Sequence, residues 1–419
     1  MRSTVCPPKD CVLCMACVNA CPKKAIYLDE DENGYERIRV NIEKCIDCGI
    51  CESVCERRKD VFRNTPKISY AAQAKEHKSL QKSASGGAFQ MIAQHVLEKE
   101  GVCYGCAFEK EGKRFHAKHV RIDSISELPQ ILNSKYIPSI IGNTFQEALE
   151  DLSYGKIVLF SGTPCQIQGL KAFLNKDYDN LLTVDVICHG ITSTKMFNDY
   201  VEQIENRDKI RVVNYLFRDK SISWGTNFCY SYYKEKDAKK RIFVKHCPRE
   251  ASSYMIHYLR GDIFRENCYS CMLSNTKRVS DFTLGDYWEI EREHPEYVTK
   301  YKPRIVLRRG VSCILANTEK ATCFVADLKD KMIMHQVALE SITAHNGNLV
   351  TPSSCGVGRE QLLQNYREHG YALIEENYRK TVGRKKILYN IKNFLKSYLP
   401  DWVRICIYKY SFLRRIVFR

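Results

Sequence analysis

The sequence has no apolar run approaching the roughly 18 residues that a membrane-spanning helix needs. Its start, Met1-Arg2-Ser3-Thr4-Val5-Cys6-Pro7, lacks the apolar core of a secretory leader, which predicts a cytoplasmic chain. Acid is scarce at the other end. From Lys380 to Arg419 there are 11 Lys+Arg and a single acid, Asp401, so this segment supplies +10 of the formal +16. A global basic excess would suggest nucleic acid; an excess confined to one tail does not, and no nucleic-acid partner is expected. With 44% hydrophobic and 27% charged residues, the chain is neither wholly disordered nor collagen-like. Its 419 residues suit two or three domains with a buried core.

Cysteine is plentiful, with 21 in the chain. In a reducing compartment such cysteines more often bind metal or do redox work than form structural disulfides. Nine fall at or before Cys55, and eight of these make two regular runs. The first is Cys11-x2-Cys14-x2-Cys17-x3-Cys21-Pro22; the second is Cys45-x2-Cys48-Gly49-x-Cys51-x3-Cys55. This is bacterial ferredoxin spacing, in which the fourth cysteine of each run ligates the other cluster. Three thiolates at two-residue intervals wrap one cubane, and a short helix carries the fourth to its neighbour. One 4Fe-4S cluster would use Cys11, Cys14, Cys17 and Cys55, the other Cys45, Cys48, Cys51 and Cys21. Zinc sites normally take paired ligands rather than repeated four-cysteine runs. Between the runs, Ala25–Leu28 and Tyr35–Val40 flank an acidic turn and read as a β-hairpin. Glu56 stands where proline commonly follows the last cysteine; no ligand is lost by it. Cys6 lies outside the runs and reads as a bystander.

A polar stretch, Glu56 to Lys67, reads as a linker. Beyond it, Ser85-Gly86-Gly87 opens a segment with Phe89, Met91, Ile92, Val96 and Leu97 at helical spacing. Such a step lets backbone N–H groups approach an anion, although pattern alone favours a plain N-cap at Ser85. Gly101 to Phe108 reads as a buried strand; Cys103 and Cys106 would face opposite sides of it and serve as packing residues. Lys156–Phe160 is an apolar strand running into Ser161-Gly162-Thr163-Pro164-Cys165 and a helix from Gln166 to Leu174. The next strand, Leu181–Ile187, ends at Cys188-His189-Gly190. Strand, helix, strand makes a βαβ unit with parallel strands, so Cys165 and Cys188 share the carboxyl edge of the sheet, where open α/β sheets bind ligands. A helix start also stabilises a thiolate at Cys165. Cys268-x2-Cys271 lies in a polar loop ahead of Asp281–Trp288. Together with the edge pair it would make a four-cysteine site: a third 4Fe-4S cluster, a zinc site, or unconnected thiols.

Ser85-Gly86-Gly87, Ser134-Lys135-Tyr136, Gly162 to Gln166, Cys188-His189-Gly190, Cys268-x2-Cys271 and Asp281 through Trp288 resemble, in order and spacing, the coenzyme F(420) hydrogenase/dehydrogenase β-subunit family. The resemblance covers roughly residues 70 to 310, and the ferredoxin module in front looks like the fused form of bacterial relatives. It implies FAD beside iron–sulfur clusters, with electrons passing between a two-electron carrier and one-electron centres. Carried over, Ser85, Gly86, Gly87, Ser134, Lys135 and Thr163 would contribute to the flavin pocket. Cys165, Cys188, Cys268 and Cys271 would be cluster ligands, and His189 a proton donor. The family includes subunits that reduce a deazaflavin coenzyme and reductases with other substrates. Many fused bacterial members resemble parts of polysaccharide gene sets, which implies an oxidoreductase fed by ferredoxin or another electron-donor protein and acting on a small molecule or glycan. The alternative is an electron-transfer subunit with no substrate site of its own.

The expected architecture is α+β / α/β: a dicluster ferredoxin-like domain at 1–62, a mixed-sheet flavin-binding body in two parts, 69–150 and 151–345, and a basic amphipathic helical tail at 380–419. In the tail, Ile387, Leu388, Ile391, Phe394 and Leu395 share one helical face, with Lys385, Lys386, Lys392 and Lys396 on the other. That composition suits either an interfacial helix on the inner face of the cell membrane or a helix packed on the protein's own body.

Overall fold

A computed structural model describes residues 3–55, 61–221 and 223–382, together with Val403. Apart from residues 380–382 and Val403, the basic tail, and with it the expected membrane contact, lies outside the described residues. So do residues 56–60 of the linker; in its described part Asn64 pairs with Arg278 through an antiparallel bridge. No helix among the described residues is long and apolar enough to cross a membrane.

The strands in chain order are β1 (Ile26–Glu30), β2 (Glu36–Val40), β3 (Ile68–Ala74), β4 (Val102–Glu111), β5 (Arg114–Ile122), β6 (Ser139–Ile140), β7 (Val158–Gly162), β8 (Leu181–Val186), β9 (Ile210–Leu216), β10 (Phe228–Lys234), β11 (Phe243–Cys247), β12 (Phe282–Asp286), β13 (Ser312–Ala316) and β14 (Met332–Val337). β1 and β2 form the expected hairpin between the cysteine runs. Nine strands make one mixed sheet in the order β14-β3-β13-β12-β8-β7-β4-β5-β6, and β9, β10 and β11 make a separate antiparallel sheet. The large sheet therefore takes strands from both expected parts of the body.

At its centre β4, β7, β8 and β12 run parallel. The helix Pro164–Leu174 joins β7 to β8, giving the βαβ unit read from the sequence. Alternation along β7 splits its side chains between two cores: Leu159 packs with the helices Ala88–Glu98 and Glu319–Leu328, while Val158 and Phe160 pack on the opposite face. That second core continues into the ferredoxin module through Leu13, Met15 and Ala16, which meet Phe145, Ile167 and Leu170. Polar ties reinforce the docking: Gln146 Nε2 donates to the Asn19 carbonyl at 2.6 Å, and Asn19 Nδ2 to that of Gly142 at 2.9 Å. The cysteine runs thus sit against the helix that begins at the carboxyl end of β7.

Candidate functional site

The two runs fold into two cavities. Cys11, Cys14, Cys17 and Cys55 line one; Cys21, Cys45, Cys48 and Cys51 line the other. The fourth cysteine of each run is carried across by the short helices Ala16–Ala20 and Ile50–Ser53. Val5 lines both cavities. Cys6, set apart by spacing, also lines the first one. Its thiol hydrogen-bonds with Cys11 and Cys55; the Cys6 bond, aided by Arg265 and Arg37, holds the Cys11 thiol below its ordinary value against the opposing effect of burial.

Cys165, Cys188, Cys268 and Cys271 line a third cavity. Cys165 enters from the first turn after β7, and Cys188 from just beyond β8. Cys268 comes from the short 3-10 helix Glu266–Ser270, where its N–H bonds the Arg265 carbonyl, and Cys271 from the residue that ends it. The buried Arg278 fixes the chain just beyond that helix: its guanidinium donates to the carbonyls of Leu273 and Asn275 and pairs with Asp185 of β8 at 2.9 Å. The Cys188 thiol is pushed well above its ordinary value, first by burial and then by Cys268, Cys165 and Cys271. One zinc ion bonded to four thiolates at about 2.3 Å would draw the sulfurs to within about 4 Å of each other. Among the described residues no three cysteine sulfurs lie within 4.8 Å of one another. This wider spacing, common to all three sets, suits a cubane, whose terminal thiolates stand farther apart than those of a single ion.

Arg265 is buried between the first and third cavities. Its guanidinium donates to the carbonyls of Glu36 and Cys11, and its Nε is buried without a hydrogen-bond partner. A fixed positive charge with an unspent donor fits a neighbouring anionic iron–sulfur cluster.

A fourth cavity of about 560 Å³, larger than the three above, opens at the carboxyl edge of β7, β8 and β12. That is within the size range of cofactor sites. Ser85, Gly87, Ser134, Lys135, Thr163, Cys165, Cys188 and His189 all line it. Val12 is shared with the first and third cavities, and Cys165 and Cys188 with the third, so the four spaces form one contiguous series.

Several expected roles change in detail. Gly86 faces away from the cavity: a Cβ there would lie 2.3 Å from the Ala72 carbonyl oxygen and 2.5 Å from Ser312 N, so this glycine serves close packing on the sheet. Gly87, at φ +85°, is the one that turns toward the cavity. Thr163 is occupied locally, its side chain capping the helix while its N–H donates to Gln166 Oε1 at 3.0 Å. Ser85 Oγ donates to the Val311 carbonyl at 2.7 Å. Lys135 donates to the Leu132 carbonyl at 2.6 Å, and burial lowers its pKa. His189 is exposed to the cavity; the protein packed around its ring disfavours the charged form and lowers its pKa.

Other lining groups were not singled out by spacing. Arg218 and Asp286 form a bidentate pair at 2.7 and 3.0 Å, with Trp224 Nε1 donating to Asp286 at 2.9 Å. Burial alone would raise the Asp286 pKa, but Arg218 lowers it. Cys106 also lines the cavity, whereas Cys103 packs in the core on the other face of β4.

His119 completes the wall. Its ring stacks on Phe160 at 5.4 Å and bridges Ser139 Oγ and the Ser161 carbonyl, each at 2.8 Å. Burial holds its pKa down to about 4, so the folded protein keeps a neutral imidazole that the unfolded chain would protonate below about pH 6.5. The resulting stabilisation is complete above that value and is lost as the pH falls toward 4. We expect the stability advantage over His119→Gln to shrink by about 2 kcal/mol between about pH 7 and pH 5, read from urea midpoints. An unchanged difference would show that burial does not hold this ring neutral.

Comparison with known proteins follows the same division. The family described as the C terminus of the coenzyme F420 hydrogenase/dehydrogenase beta subunit matches residues 155–341, and the 4Fe-4S dicluster domain matches residues 10–58. The polyferredoxin-like subunit of an aliphatic sulfonate oxidoreductase from Pyrococcus furiosus is 46% identical over 50 residues, 12% of this chain and 27% of that protein. This chain therefore spans about a quarter of that relative's length. The solved F420-reducing NiFe hydrogenase complex from Methanosarcina barkeri contains a chain that aligns with a TM-score of 0.40 and 15% identity, over 79% of this chain and 96% of that one. Residues 155–341 thus resemble the C-terminal part of the coenzyme F420 hydrogenase/dehydrogenase β subunit, joined in this chain to a match with a 4Fe-4S dicluster domain at residues 10–58.

Proposed function

We propose that the chain is an FAD-dependent iron–sulfur oxidoreductase that takes electrons singly from a ferredoxin-type donor and delivers them in pairs to a small molecule or glycan. The observation that carries this reading is the contiguous series of cavities from Cys48, exposed at the surface, to the large cleft beyond Cys165 and Cys188. Electrons would enter at the set Cys21, Cys45, Cys48 and Cys51, pass the set Cys11, Cys14, Cys17 and Cys55, and reach a third cluster on Cys165, Cys188, Cys268 and Cys271. Bound in the large cleft, FAD would join two one-electron deliveries to one two-electron transfer.

The residues present fit such a group. The helices Ala88–Glu98 and Pro164–Leu174 both begin at the cleft, at Gly87 and Thr163. Helix starts favour anionic groups such as a pyrophosphate. With Thr163 engaged as a cap, the N–H groups of the helix turn that follows Gly87 and the Lys135 amine carry more of that task. His189, between the third cysteine set and the cleft, can hold or release a proton at an imidazole nitrogen as electrons arrive. A role in polysaccharide synthesis would suit such a reductase.

The test is anaerobic purification of the full chain with iron, sulfide, zinc and flavin quantified. We expect about twelve irons with matching sulfide and one FAD, identified by mass spectrometry of the released cofactor. Lys135→Ala should lose FAD while keeping its iron. Failure of the reconstituted wild-type protein to bind any flavin would overturn the reading.

A further inference from the structure

The small sheet gathers a set of metal-binding side chains away from the cysteine clusters. Cys229 on β10 and His246 on β11 are directly opposed in antiparallel register, so both rise from one face. The chain leaving β9 runs on to Asp219, whose N–H donates to the Asn227 carbonyl at 2.7 Å and places its carboxylate over that face. The Asp219 carboxylate, the Cys229 sulfur and a His246 ring nitrogen lie within 4.8 Å of one another. Among the described residues no other group of three His, Cys, Asp or Glu ligands is so close.

We propose that Asp219, Cys229 and His246 bind one zinc ion, with the fourth position open to water. The donor set selects the metal. Calcium and magnesium take oxygen ligands, whereas thiolate, imidazole and carboxylate together suit zinc. The carboxylate is already oriented: Asp219 Oδ1 accepts from Ser221 N–H at 3.0 Å and Ser221 Oγ at 2.7 Å, leaving Oδ2 on His246 Nδ1 at 2.7 Å. Metal-bound carboxylates are commonly braced in this way. Asp219 and Cys229 are buried while His246 is exposed, which gives an entry path on the solvent side. The ion would be structural. Arg218, next to Asp219, and Thr226, next to Asn227, both line the large cleft, so zinc would pin the loop that carries them.

The test loads the anaerobically purified full chain with zinc, desalts it, and measures zinc and iron per chain. Wild type should retain one zinc beyond its iron. Cys229→Ser and His246→Gln should each weaken retention by about tenfold or more with iron unchanged, which also shows that the variants fold. Cys323→Ser, at an exposed thiol on another element, should retain zinc. X-ray absorption at the zinc edge should show a single sulfur at about 2.3 Å beside nitrogen and oxygen ligands. The proposal is overturned by failure of wild type to retain zinc, by full retention in Cys229→Ser, or by zinc with four sulfur ligands that is lost in Cys268→Ser.

Discussion

Cys268→Ser is expected to remove about four irons per chain, to leave the dicluster domain intact, and to stop electrons entering at that domain from reaching the flavin. The expectation follows from placement. Cys268 lines the cavity it shares with Cys165, Cys188 and Cys271, and its sulfur accepts from Ile191 N–H at 3.4 Å. It contributes nothing to the two cavities of the N-terminal runs. Serine is close in size but removes the thiolate. Iron and sulfide would fall together, and low-temperature electron paramagnetic resonance of the reduced protein would lose one signal of three. Flavin reduction by a reduced ferredoxin would collapse, whereas a small chemical reductant acting directly at the cleft should still reduce the flavin. Loss of zinc instead of iron would make this set structural. Retention of all iron with normal flavin reduction would remove the third cluster from the path altogether.

The parts of the site legible in sequence were those whose geometry is local. Each cysteine run fixes its own three thiolates through two-residue spacing, and the crossing of Cys21 and Cys55 follows from one short helical turn per run. The third set was legible as four positions but not as a type of site. Cys165 and Cys188 are brought together by the parallel pairing of β7 with β8, which strand-helix-strand order predicts. Cys268 and Cys271 join them through Arg278 and Asp185, a long-range pair that no local pattern announces. The same reason hides His119, Cys106, Arg218 and Arg265, whose roles arise from which strand or loop they face across the fold. Cys6 lies outside both runs in spacing yet lines the first cavity, a placement that spacing does not announce. Gly86 and Gly87 show that one signal has two meanings: adjacent glycines are required for different reasons, one for sheet packing and one for a left-handed turn at the cleft.

Gly169→Ala should disturb the first cluster set although no ligand is altered. Helix propensity alone favours the change, because an interior glycine costs about 1 kcal/mol relative to alanine. The contact decides otherwise. A Cβ at Gly169 would lie 2.6 Å from Cys14 Cβ and 2.9 Å from its sulfur. The helix Pro164–Leu174 also carries Cys165, four residues earlier on the same face and about 6 Å along the axis. One helix face therefore bears Cys165 at its start and holds Cys14 against its middle, through a position where only hydrogen fits. Relief requires moving either a cluster ligand or the helix, and overpacking of this kind typically costs about 1–3 kcal/mol, which outweighs the gain in propensity. We expect Gly169→Ala to lower the unfolding midpoint, to weaken iron retention by the set Cys11, Cys14, Cys17 and Cys55, and to slow electron transfer from the dicluster domain to the flavin. Gly358→Ala, where an added Cβ meets nothing within 4 Å, should leave all three unchanged. A Gly169→Ala protein more stable than wild type, with full iron and normal transfer, would show that the dicluster domain does not dock on this helix through Cys14.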